Sequence, residues 1–164
     1  MEGRCYKRHP DRGELSIRDE REMNVDSDLI ARAVARLLEE LPPGVILVAA
    51  AKARTTEEVE AAIRSGVTHV GHNYVQEAER MIQKIGRKVQ WHMIGHLQRN
   101  KVKMAVGLFD MIETLDSWPL AQLIDRHAVA IGKIMPVLVE INSGREATKT
   151  GVLPEELDEL VWHL

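Results

Sequence analysis

The 164 residues contain a single cysteine, Cys5. One thiol cannot close a disulfide within the chain, and it cannot form a cysteine cluster for zinc, so a reducing cytoplasm is the simplest setting. No apolar stretch approaches the ~20 residues of a membrane-spanning helix. The first 25 residues have no apolar core of the secretory type. A basic excess is also missing. The formal charge is -3, whereas nucleic-acid proteins usually carry a strong positive balance. The short basic run of Arg99, Lys101 and Lys103 reads as a solvated helix face. There is no serine on a nucleophile elbow, and the acids Glu113, Asp116 and Glu140 are spread over two predicted strands, which gives little support to paired-carboxylate hydrolysis. No glycine-rich phosphate loop follows any predicted strand: the turn after the first is Lys52-Ala53-Arg54-Thr55.

What remains is an ordinary globular composition, 45% apolar and 29% charged, at the length of about one domain. Residues 1–25 are set apart by dense charge, from Glu2 and Arg4 to Arg21 and Glu22, with little to bury. They are expected to form a disordered extension, with Met23 as a candidate natural start. The domain proper is expected over 26–164. Leu29, Ile30, Ala33, Val34, Leu37, Leu38 and Leu41 recur at helical spacing and are stopped by Pro42-Pro43-Gly44. Val45 to Ala51 then reads as a strand, and Thr55 with Glu58 as a capping box that opens a helix.

Further strands are predicted near 68–71, 89–94, 109–115 and 134–141, separated by helices near 74–85, 98–106 and from Ser117, with a last helix from about Pro154. Ser117 is the expected cap of its helix, and Pro119 is tolerated in the first turn. Five apolar strands alternating with helices predict parallel βαβ units. The lack of a dinucleotide-type glycine loop favours a (β/α)8 barrel of the TIM type over a doubly wound sheet. A complete barrel typically needs about 250 residues, so the chain is expected to hold five βα units and looks short by about three.

Polar groups gather where these strands end: Lys52, then His72 and Asn73, then His92 and His96, Asp116, and Asn142. In a barrel those ends share one mouth. A lysine there can form an imine with an aldehyde or ketone, and burial at an apolar strand end would favour the neutral amine that attacks. The alternative is a lysine whose stem packs on the rim while its head is solvated. His92 and His96 are four apart, but Gly95 between them breaks the helical geometry that a zinc pair would need. Each histidine can equally be a hydrogen-bonded structural side chain.

Three segments carry a resemblance. Leu47-Val48-Ala49-Ala50-Ala51-Lys52, Gly71-His72-Asn73-Tyr74-Val75-Gln76-Glu77 and Trp91-His92-Met93-Ile94-Gly95-His96-Leu97-Gln98-Arg99-Asn100-Lys101 resemble the pyridoxal-phosphate homeostasis proteins, the YggS/PROSC family. Val137 to Asn142 followed by Glu146 to Gly151 looks like that family's fifth strand and loop, so the likeness covers about residues 29–164. It implies a barrel like the N-terminal domain of alanine racemase, a protein that holds pyridoxal 5'-phosphate as a Schiff base on Lys52, and Asn73 and His92 as further cofactor-binding residues. His96 and Asn100 fall in the signature segment. A role in intracellular cofactor homeostasis without established catalysis is implied, with pyridoxal-phosphate-dependent apoenzymes as partners. The alternatives are a racemase-like enzyme, which needs a second base when Tyr6 and Tyr74 are the only tyrosines, and a cofactor-free fragment acting as an interaction module.

The chain departs from the family at Ala51, where serine is common, and at His72, where glutamate is common. The histidine is expected to raise the charge near the mouth. The family's serine- and glycine-rich phosphate loops lie in strands beyond the fifth, so this chain looks truncated before them.

Overall fold

A computed structural model describes the backbone of residues 14–164 and the side-chain surroundings of 27–164. Its elements in chain order are α1 (Glu14–Glu40), β1 (Val48–Ala50), α2 (Thr56–Arg64), β2 (His69–His72), α3 (Val75–Ile85), β3 (Gln90–Met93), α4 (Val102–Leu108), β4 (Met111–Leu115), α5 (Trp118–Ala130), β5 (Val137–Val139) and α6 (Leu157–His163). Short 3₁₀ turns at Arg99–Lys101 and Pro154–Glu156 lead into α4 and α6. The first 13 residues of the expected extension lie outside the described residues. Residues 14–25 are helical backbone within α1, a stretch that includes three Glu and two Arg, residues that lose little rotamer freedom in a helix.

The five strands form one parallel sheet in the order β1-β2-β3-β4-β5. Each strand lies beside its predecessor, so every crossover steps the same way. A doubly wound sheet would reverse direction at a switch point. The sheet is therefore a wall of an incomplete (β/α) barrel, as the sequence predicts.

Residues on the helix side of the sheet make the core. Val70 lies opposite Trp91, and Met93 opposite Ile112, in the strand register. Against them pack Val75, Ala78, Met81, Ile82 and Ile85 of α3 and Val102, Ala105 and Val106 of α4, all buried. Trp91 is fully buried, and its indole Nε1 donates to Gly86 O at 3.1 Å, so the ring's one polar atom is satisfied. The carboxyl end of α4 is held by two cations from outside it. Arg87 donates to Gly107 O and Leu108 O at 3.0 and 2.7 Å, and Lys133 Nζ donates to Val106 O and Phe109 O at 2.9 and 2.5 Å. Four carbonyls that the helix cannot pair itself thus find charged donors.

The predicted capping box is present: Thr55 Oγ1 accepts from the Glu58 amide at 3.2 Å, and Glu58 Oε2 accepts from the Thr55 amide at 2.7 Å. Ser117 is the residue before α5 and Pro119 lies in its first turn, as expected, but the serine hydroxyl caps nothing. It accepts from no backbone amide of the helix and donates to the charged Asp116 Oδ1 at 2.8 Å. The outer strands are shorter than predicted. Val45, Ile46 and Ile134 are 51%, 60% and 92% exposed. On these edges no neighbouring strand extends the pairing among the described residues.

Candidate functional site at the strand ends

Because all five strands are parallel and adjacent, their carboxyl ends form one rim. Lys52 lies two residues past β1, Asn73 one past β2, and His92 inside β3. The register puts Ala50 opposite Gly71 and Gly71 opposite His92. Lys52 and Asn73 each lie two residues beyond that level, in the turns that follow β1 and β2. Two glycines make the rim compact. A Cβ on Gly71 would come within 2.7 Å of Ile94 Cδ1, and one on Gly95 would come within 2.5 Å of the Asn73 carbonyl oxygen. The loops after β2 and β3 can touch this closely only without those side chains.

His92 is 6% exposed and faces away from the helices, where its Nδ1 meets Glu113 Oε1 at 2.5 Å. A carboxylate only accepts, so Nδ1 carries a proton, and in the neutral tautomer this leaves Nε2 as the acceptor. Glu113 thereby sets both the tautomer and the orientation of His92. The ring of His69 stands edge-on to His92 at 5.1 Å, and its own Nδ1 is 2.8 Å from Thr68 Oγ1. Burial lowers the pKa of His69, His92 lowers it further, and Glu113 opposes both. Glu113→Ala should cost about 1–3 kcal/mol of folding free energy in urea titrations, since it strands a buried imidazole nitrogen without its acceptor. A loss under ~0.5 kcal/mol would show that the pair carries no weight.

Lys52 is exposed, so the described residues do not supply the burial expected at this strand end. Lys52 and Asn73 also line different cavities. Lys52 shares one of about 370 Å³ with His72, Glu77 and residues of α3. Asn73 shares one of about 230 Å³ with Gly95, His96 and Lys101. His96 Nδ1 lies 3.6 Å from Asp116 Oδ2, which places a second histidine–carboxylate pair on the rim. The residue that sequence reasoning passed over is Glu113. Its signal is a carboxylate at an alternate position of the apolar strand Met111-Ile112-Glu113-Thr114-Leu115. Among the described residues no group of three or more His, Cys, Asp and Glu converges as a metal site would.

His72 does not raise the charge at the mouth. It alternates with His69 and points the opposite way, into the helix layer, where it is 1% exposed and its Nε2 lies 3.3 Å from Met81 Sδ. Nδ1 has no hydrogen-bond partner among the described residues. Burial holds its pKa below the ordinary 6.5, with Glu77 pulling weakly the other way. The unfolded chain therefore binds a proton that the folded protein refuses. The stability this group contributes is complete above about pH 6.5 and is lost as the pH falls through the lowered folded value. Lys52 and Arg54 from the turn after β1, Glu77, Arg80 and Lys84 from α3 and Trp91 from β3 surround it. Unfolding free energy measured between pH 7.5 and 5 should fall less steeply in His72→Met than in the parent. Equal slopes would assign the acid sensitivity to other groups.

The family model for the N-terminal domain of alanine racemase matches residues 25–164. The chain is 36% identical over 119 residues to the pyridoxal phosphate homeostasis protein of Pasteurella multocida, a match covering 71% of this chain and 51% of that protein. It is 35% identical over 148 residues to the Bos taurus protein of the same name, covering 84% and 54%. The chain spans about half the length of these relatives. Among solved structures it resembles PipY of Synechococcus elongatus without and with bound PLP, at 33% and 34% identity and TM-scores of 0.75 and 0.72; each match covers 82% of this chain, and they cover 66% and 65% of PipY. An alanine racemase from E. faecalis, at 16% identity and TM-score 0.65 over 84% of this chain and 38% of its own, shows the same fold.

Proposed function

The chain belongs to the alanine racemase N-terminal domain family, and on that premise we propose that it binds pyridoxal 5'-phosphate covalently, as a Schiff base on Lys52, in a role of intracellular cofactor homeostasis. The observation that carries this is the Lys52 amine itself, exposed at the carboxyl end of β1 on the same rim as the His92–Glu113 pair. The relatives named for pyridoxal phosphate homeostasis and the PipY structure with PLP support it.

The residues present fit the cofactor's aldehyde. Lys52 offers an accessible primary amine for it, and His92 offers Nε2 as an acceptor whose orientation Glu113 holds from the far side of the ring. Asn73, locked against Gly95, contributes a side-chain amide that can both donate and accept. When bound, the cofactor supplies an electron-withdrawing ring and an aldehyde that amines capture reversibly. A reversible link suits release to pyridoxal-phosphate-dependent apoenzymes in the cytoplasm. Among the described residues no helix is long and apolar enough to cross a membrane.

Borohydride reduction of the protein incubated with pyridoxal 5'-phosphate, followed by peptide mapping, tests the assignment. The pyridoxyl adduct is expected on the peptide carrying Lys52. A folded sample that yields no adduct there overturns it.

A further inference from the structure

The cavity that Lys52 shares lies on the helix side of the sheet, away from the face where His92 and Glu113 meet. Its charge is lopsided. Lys52 and Arg54 come from the turn after β1, and Arg80 and Lys84 from successive turns of α3, while Glu77 is the one carboxylate in the lining. Arg54 is paired with Glu58 at 3.3 Å. Lys52, Arg80 and Lys84 have no ion-pair partner within 4.0 Å among the described residues. This concentration is local, since the chain as a whole carries a formal charge of -3. Lys52, Arg80 and Lys84 outnumber the single Glu77 carboxylate, so the concavity is net positive, and an anion between the cations relieves their mutual repulsion. Arg80 Nε is already engaged with Gln76 O at 3.2 Å, which leaves its terminal nitrogens free for a ligand. His72 also lines it, and its Nδ1 is the one buried side-chain nitrogen or oxygen without a hydrogen-bond partner among the described residues.

We infer that this cavity is a binding site for a small phosphoryl-bearing anion, distinct from the barrel-side face of the rim and adjacent to the Lys52 amine. The inference rests on the proposed role of Lys52 only for its consequence: a ligand here covers the amine and so restrains its reaction with an aldehyde. The volume, about 370 Å³, falls at the small end of ordinary ligand pockets, ~300–1,000 Å³. A phosphoryl group suits the donors. The Arg80 guanidinium can bind two of its oxygens side by side, while the lysines act as mobile point charges on the others. A monocarboxylate carries less charge than a phosphoryl group to set against these cations, and a nucleic-acid backbone calls for a basic excess, whereas the formal charge of the chain is -3.

Pyrophosphate is the probe, used at constant ionic strength with the full chain. Calorimetric titration should give saturable binding to the parent. The variant Arg80→Gln/Lys84→Gln, altered only at exposed side chains, should bind about tenfold more weakly or worse, because it loses two charge-assisted contacts. Acylation of lysines read by mass spectrometry supplies a second readout that needs no aldehyde chemistry. Pyrophosphate should protect Lys52 and Lys84 and leave Lys103 on α4 unprotected. Absence of saturable binding, equal binding by the double variant, or unchanged acylation of Lys52 would each overturn the inference. Failure of the cofactor reading looks different: pyrophosphate still binds, and no reduced adduct forms on Lys52 in its absence.

Discussion

Lys52→Arg is expected to abolish covalent capture of pyridoxal 5'-phosphate, with no borohydride-stable adduct at position 52 and no imine absorbance, while leaving the fold unchanged. The guanidinium stays protonated throughout the accessible pH range and offers no free amine pair to the aldehyde. It does keep the positive charge, so whatever attraction the neighbouring cations exert on the cofactor's phosphate is retained. Any loss can then be read as loss of the nucleophile. Because residue 52 is exposed, the substitution should change folding stability by no more than about 0.5 kcal/mol. Lys84 lines the same cavity and is the amine that would react in place of Lys52 if the assignment were wrong. A Lys52→Arg protein that still forms adduct in near-parental yield would move the chemistry to another amine and sink the assignment to Lys52.

The parts of the fold that were legible in the sequence are those that local chemistry dictates. Thr55 and Glu58 specify their helix start because both bonds of the capping box lie within four residues. The alternation of apolar strands and helices specifies the parallel sheet and the barrel-type strand order. Ser117 marks the right position, yet its hydroxyl accepts from no backbone amide of α5 and donates to Asp116, an orientation that residue type and position alone do not specify.

Facing is harder to read. His72 and Asn73 are adjacent in sequence, and a one-residue difference in parity sends one into the helix layer and leaves the other at the rim. Both faces of this sheet carry apolar residues, so hydrophobic alternation does not mark the mouth. Long-range partners are hidden for the same reason. Glu113 lies 21 residues from His92, and only the β3–β4 register, in which His92 stands opposite Met111, brings them together.

Gly95→Ala should destabilise the protein by about 2–4 kcal/mol and weaken cofactor capture along with it, although the change adds a single methyl group. The new Cβ would lie 2.5 Å from Asn73 O, 2.6 Å from Asn73 Cα and 2.9 Å from Asn73 Cβ. Two of these three atoms are backbone. A flexible side chain could swing aside, whereas here the end of β2 or the turn after β3 has to move. The Gly95 carbonyl also accepts a buried 2.8 Å hydrogen bond from Thr114 Oγ1, which ties the turn to β4, so relief of the clash threatens to leave that hydroxyl unpaired. Displacing Asn73 relative to Lys52 then carries the damage from packing into the site.

Gly107→Ala is the matched control. It lies within α4, and a Cβ there would meet nothing within 4 Å, so alanine should be neutral or stabilising by up to ~1 kcal/mol through helix propensity. Parallel urea titrations of the two variants, with reduced-adduct yield measured on each, decide the matter. If Gly95→Ala unfolds at the parental urea midpoint, the close approach of the two loops is not a constraint on the site, and the link drawn between Gly95 and Asn73 fails.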